Sequence, residues 1–153
     1  IVLNYVSYKT NLIKSMERSG NGNLGTVYFP ISLLLMVIFS FIVKNPFFGG
    51  LGILILGYGD GFAAVIGKKF GVKKLYKDKS YAGTFTMFIA AFLVTFIMFS
   101  TFTFVSLLPV LLISLAVGLI ASIVELFTPK GLDNLSLPII ISLLVYVITL
   151  GIM

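Results

Sequence analysis

Only five acidic side chains occur in the 153 residues, and three of them, Asp60, Glu125 and Asp133, sit where long apolar runs meet polar segments. Histidine, cysteine and tryptophan are absent. Zinc sites of the usual kind, thiol nucleophiles, disulfides and histidine bases are thereby excluded. Chemistry is left to carboxylates, Lys and Arg, hydroxyls, amides and backbone. Carboxylate oxygens are hard ligands, and Mg²⁺ is typically held by one or two of them with substrate phosphates and water. Asp60, Glu125 and Asp133 are thus candidate metal ligands and candidate catalytic groups, with lysines available to neutralise the remaining phosphate charge.

Asp60 interrupts the stretch "LGYGDGFAAVIGKKFG" (Leu56–Gly71). On a helix, Asp60, Ala63, Ala64, Gly67 and Gly71 share one face. Small residues at four-residue spacing let membrane helices approach closely, and packing is one reading of this stripe. The carboxylate supports another. An aspartate at the centre of a membrane helix costs ~2.5–3.5 kcal/mol on insertion scales, so an intramembrane acid points to function. A smooth face beside it admits a bulky anionic ligand and its metal.

Two further stretches carry polar groups of the same kind. Lys68, Lys69, Lys73, Lys74, Lys77 and Lys79 lie close together, and most read as a topology signal or an anionic-lipid contact. The cluster ends in "KSYAGT". There Lys79, Ser80, Gly83 and Thr84 combine a cation, hydroxyls and approachable backbone at a helix start, a candidate phosphate cradle. It is not a P-loop, because the G-x-x-x-x-G-K-[ST] order is missing. In "ELFTPKGLDNLSLP", Glu125 ends one apolar run, and Asp133 and Asn134 precede the next. As an isolated pair, Asp133 and Asn134 also suit a turn cap, with Pro138 starting a helix.

The elements that position these groups are membrane spans. The chain is 59% hydrophobic and 10% charged, with a mean hydropathy of +1.14, whereas soluble domains carry about 25% charged residues. A helix needs ~20 apolar residues to cross the hydrocarbon core. Five stretches qualify: Val27–Val43, Pro46–Ile66, Thr84–Val105, Leu107–Phe127 and Leu137–Met153. Residues 1–18 place Val2, Tyr5, Val6, Leu12, Ile13 and Met16 at helical spacing with charges between them. That pattern predicts an N-terminal amphipathic helix or the end of a truncated span. The expected fold is all-α: a polytopic membrane helix bundle of about five spans forming a single membrane domain. Of eleven Lys and Arg, only Lys44 falls on one side of it. The positive-inside rule therefore makes loops 1–26, 67–83 and 128–136 cytoplasmic and the C-terminus external. Every acidic residue then lies near the cytoplasmic face. The chain opens on Ile1, so upstream residues are expected.

The blocks "GDGFAAVIGKKFG", "KSYAGT" and "ELFTPKGLDNLSLP", in this order on successive inner loops, resemble the CTP-dependent lipid kinases. That family includes phytol kinase, dolichol kinase and the fungal-type diacylglycerol kinase, and is related to phosphatidate cytidylyltransferase. "GTVYFP" (Gly25–Pro30) is similar to the segment leading into the corresponding span, so the resemblance covers about residues 15–153. It implies that Asp60, Ala63, Gly67, Lys68 and Gly71 belong to a nucleotide-site block, that Lys79, Ser80, Gly83 and Thr84 match a K-S-x-E-G-[ST] element, and that Glu125, Asp133 and Asn134 match the acidic block. Ala82 departs from the pattern, standing where an acidic residue is common.

The resemblance further implies CTP as co-substrate, Mg²⁺ or another divalent cation, a lipid alcohol of polyprenol, phytol or diacylglycerol type as acceptor, and no nucleic-acid partner. A homodimer is compatible with so small a bundle. Two alternatives stand beside a kinase. Cytidylyl transfer to phosphatidate is disfavoured because the histidine-containing signature of that enzyme is missing. A small transporter or channel subunit, with Asp60 as its ion site, predicts acids through the membrane depth, and the outer side has none.

Overall fold

The computed structural model describes residues 1, 2, 5, 25–103, 105–129 and 131–152. The N-terminal amphipathic segment falls almost wholly outside the described residues, as do Lys9, Lys14, Glu17, Arg18 and Lys130. Among the described residues, five helical segments are long and apolar enough to cross a membrane. Helix α1 covers Gly25–Ile42. The second span comprises α2 (Pro46–Leu54), a π-helical turn (Ile55–Asp60) and α3 (Gly61–Phe70). A hairpin of β1 (Lys74–Tyr76) and β2 (Lys79–Ser80) leads into α4 (Tyr81–Phe102). Helices α5 (Leu107–Phe127) and α6 (Asp133–Ile152) complete the bundle.

Local chemistry explains why the boundaries depart from the hydrophobic runs. Helices α4 and α6 begin before the apolar sequence does, at Tyr81 and Asp133 rather than Thr84 and Leu137. The Ser80 hydroxyl accepts a hydrogen bond from the Gly83 amide at 3.2 Å, and Asp133 Oδ1 accepts from the Asn134 amide at 3.0 Å. Side-chain acceptors of this kind satisfy amides that a helix start leaves open. At the opposite end Lys44 turns with φ 53°, Asn45 caps the Phe47 amide at 3.0 Å, and Pro46 starts α2. The hairpin is a feature that hydrophobic periodicity could not show. Its strands are antiparallel with an irregular register, and Lys77 makes the turn at φ 47°.

The second span is central. Its first half packs on α1 and α6, and its second half on α4, which in turn lies along α5. Between apolar lipid and apolar side chain there is little hydrophobic drive, so close backbone approach and interhelical hydrogen bonds must hold such a bundle. Ser142 on α6 donates to the Phe48 carbonyl on α2 at 2.9 Å. Beside it, a Cβ on Gly52 would lie 2.7 Å from the Pro138 oxygen, so only glycine fits that crossing. Leu51, Ile55, Met87, Val117, Leu137 and Ile141 fill the interior, whereas Leu34, Phe41, Leu112, Ile123 and Val147 face outward.

The lysine-rich hairpin, the start of α6 and the start of α1 share one end, because the Asn134 side-chain amide donates to the Gly25 carbonyl at 3.0 Å. Replacing Gly52→Leu is expected to lower stability in detergent by about 1–3 kcal/mol, as overpacking does, read from thermal unfolding. The cysteine-free chain also permits a topology test. Lys73→Cys is expected to react with an impermeant maleimide from one side of the membrane and Lys44→Cys from the other.

Candidate functional site

Of the six lysines from the last turn of α3 to the start of α4, five are exposed, and the sixth, Lys79, turns into the protein. Tyr76 pairs with Lys79 in the hairpin, and its ring packs on Phe127 of α5 with centroids 5.3 Å apart. That contact holds the hairpin against the end of α5, where Glu125 lies one half-turn earlier. The Lys79 ammonium donates to Glu125 Oε1 in a short hydrogen bond and to Asp133 Oδ2 at 3.3 Å. The side chains of Lys79, Glu125 and Asp133 are 18%, 5% and 9% exposed, so this is an ion-paired cluster in a largely dry setting.

Each partner is held by its own element. Asp133 Oδ1 accepts from the Gly131 and Asn134 amides, both at 3.0 Å, which fixes the carboxylate while it starts α6. Glu125 is buried on the last turn of α5, with Oε2 lacking a hydrogen-bond partner among the described residues. Asp60 ends the π-helical turn and is buried. Such turns insert an extra residue and often lie at functional sites. Here Gly59 lets the turn lie against α4, since a Cβ would sit 2.6 Å from Met87 Sδ. The charge of Asp60 acts on Lys79 together with those of Glu125 and Asp133.

Burial alone would pull the Lys79 pKa down. The hydrogen bond to Glu125 and the charges of Glu125, Asp133 and Asp60 outweigh it, and the net direction is upward from 10.5. The ammonium's contribution to stability is therefore complete below the ordinary lysine value and is lost as pH climbs through the raised one.

The structure sorts the other predicted residues. The Ala63, Gly67 and Gly71 face does not stand open. It closes on the start of α4, where a Cβ on Gly83 would lie 3.1 Å from the Ala63 oxygen and 3.5 Å from Gly67 Cα. Ser80 fills the same contact and caps α4. Of the two readings of that stripe, close helix packing describes what these residues do here. Asn134 ties α6 to α1, Lys68 is exposed, and Thr84 Oγ1 is buried without a hydrogen-bond partner among the described residues.

Among the described residues, no group of three or more acidic side chains could by itself hold a metal ion. The position between Glu125 and Asp133 belongs instead to Lys79. The donor chemistry nevertheless suits magnesium: carboxylate oxygens, one of them buried and unpartnered, to be completed by phosphate oxygens. The hairpin, the Tyr76–Phe127 contact and the π-helical turn escaped sequence reasoning. The glycine alternation around Asp60 was the available signal for the turn.

No family model and no solved structure matches the chain. A phytol kinase of Synechocystis sp. is 34% identical over 137 residues, which cover 88% of this chain and 58% of that protein. A probable chloroplastic phytol kinase of Triticum aestivum is 31% identical over 90% of this chain and 49% of its own length. An uncharacterized protein of Methanocaldococcus jannaschii is 28% identical over 92% of this chain and 68% of its own. The chain thus spans about half the length of the kinases it matches.

Deleting the central cation leaves buried carboxylates uncompensated. Lys79→Met is expected to cost ~3–5 kcal/mol in thermal or denaturant unfolding. Adding Glu125→Gln to it should restore part of that loss, and Lys79→Met should also remove the alkaline step in stability.

Proposed function

We propose, from its similarity to phytol kinases, that this chain belongs to their family and carries the catalytic part of a kinase. The reaction transfers the terminal phosphoryl group of a nucleotide to the hydroxyl of a membrane lipid alcohol. The observation that carries this reading is the inward-turned Lys79 joining buried carboxylates of two helices, with the charge of Asp60 acting on it from a third element. Phosphoryl transfer asks a protein mainly for positioning and neutralisation of charge. A cluster of carboxylates and one lysine at the basic end of a membrane bundle offers both. CTP as the nucleotide follows from family resemblance, and the positive-inside rule assigns the basic end to the cytoplasm.

In this reaction the acceptor hydroxyl oxygen forms a bond to the γ-phosphorus as the bond to the bridging oxygen breaks, releasing nucleoside diphosphate. Asp60 orients the hydroxyl and takes its proton. Lys79 pairs with the phosphate oxygens, and Glu125 and Asp133 would hold Mg²⁺. When bound, that cation neutralises charge on the phosphates. The packed Ala63–Gly67–Gly83 crossing sets the distance between the Asp60 and Lys79 elements and leaves the nucleotide to the lysine-rich rim. The lipid tail lies against the outward apolar surfaces of the spans.

The test is phosphorylation of phytol, a polyprenol and diacylglycerol by the protein in lipid, with γ-labelled CTP and ATP and with product analysis. Labelled lipid phosphate and nucleoside diphosphate are expected, and pyrophosphate release would instead mark cytidylyl transfer. Asp60→Asn is expected to reduce the rate by about 10²-fold or more, the usual scale for a proton-transfer group. An Asp60→Asn protein that is folded and fully active would remove Asp60 from the reaction.

A further inference from the structure

We propose that Lys79 is an exchangeable counter-ion. Its ammonium, which lies between Glu125 and Asp133, holds the place that a divalent cation would take, and on exchange it turns outward to the phosphates. The nucleotide half of this statement rests on the kinase reading; the competition between ammonium and divalent cation does not.

Four observations lead there. Glu125 and Asp133 come from the ends of different helices, and the group their oxygens Oε1 and Oδ2 share is one ammonium. Glu125 is satisfied on one side only, since Oε2 is buried and unpartnered among the described residues while its side chain is 5% exposed. Glu125 and Asp133 share one monovalent cation, and a divalent one balances the pair. Lys79 also has a way out. Its side chain keeps 18% of its surface in contact with solvent. It stands on a two-residue strand beside five exposed lysines, at the end of a flexible stem.

Exchange makes chemical sense for both sets of charges. A metal–nucleotide brings a cation suited to carboxylate oxygens and phosphate oxygens suited to an ammonium. Swapping partners pairs every unlike charge without burying a new one. Lys79 would then act as a gate against the free metal, because binding a cation without phosphates strands the displaced ammonium.

The experiment uses the wild-type protein in lipid, an amine-acylating reagent, and peptide mass spectrometry, with Lys69 and Lys73 as internal standards. Saturating Mn²⁺ is the probe. Lys79 acylation is expected to be slow without metal and to rise severalfold with it, while the two standards stay constant. Mn²⁺ should also bind Lys79→Met at least about tenfold more tightly than wild type, since a like charge has been removed, as read by electron paramagnetic resonance. Unchanged Lys79 acylation in the presence of bound Mn²⁺ overturns the proposal, and so does equal or weaker Mn²⁺ binding by Lys79→Met. Should that variant not fold, the wild-type acylation result decides alone. A wild-type protein that phosphorylates lipid alcohol while Mn²⁺ leaves Lys79 protected refutes the exchange and keeps the kinase. One whose Lys79 is released by Mn²⁺ but which transfers no phosphate keeps the exchange and refutes the kinase.

Discussion

A buried ammonium between buried carboxylates dictates much of the rest of this structure. Taking such groups out of water costs several kcal/mol per ion, and only close pairing with further hydrogen bonds offsets it. The charges cannot stray, so the segments that carry them cannot either. Asp133 must start α6 where its second oxygen can take the Gly131 and Asn134 amides. The loop carrying Lys79 must be brought down onto α5, which the hairpin and the Tyr76–Phe127 contact accomplish. The second span must present Asp60 inward, which its π-helical turn permits.

Helix packing obeys the same demand from the apolar side. Small residues at Ala63, Gly67 and Gly83 let α3 and α4 meet almost backbone to backbone. Both helices end in, or start from, the segment that holds Lys79. A wider crossing would carry the hairpin away from Glu125, so the smooth stripe serves the charged cluster indirectly. In this structure the stripe closes on the start of α4.

How legible this was depended on the range of each interaction. Five spans and the gathering of acids at the basic end follow from hydropathy and charge, which act residue by residue along the chain. Asp60, Glu125 and Asp133 stood out because acids are costly in so apolar a sequence. Lys79 was distinguishable from its neighbours only through the KSYAGT pattern, and nothing local showed that it alone would turn inward. The hairpin was hidden for a similar reason: KLYKDKS has no apolar alternation, and its strands exist because Tyr76 finds Phe127, fifty-one positions away. Ser80 read as part of a phosphate cradle and Asn134 as a turn cap or part of the acidic block; that Ser80 also caps α4 and Asn134 ties α6 to α1 depends on where Gly83 and Gly25 lie.

Charge balance finally constrains how a nucleotide can be received. Among the described residues Glu125 and Asp133 share one ammonium, so a bare triphosphate would meet negative charge at close range. Farther out the sign reverses. Lys68, Lys69, Lys73, Lys74 and Lys77 stand exposed around the same end of the bundle, and a field of that sign concentrates polyanions over distances of about a Debye length, ~8 Å at physiological salt. Such a field favours a polyanion at the rim, and the carboxylates inside favour one that carries a cation of its own. On the proposed kinase reading the lysines would serve the first task and a metal the second, with carboxylates and lysines as the reactive side chains of a chain that has no histidine or cysteine.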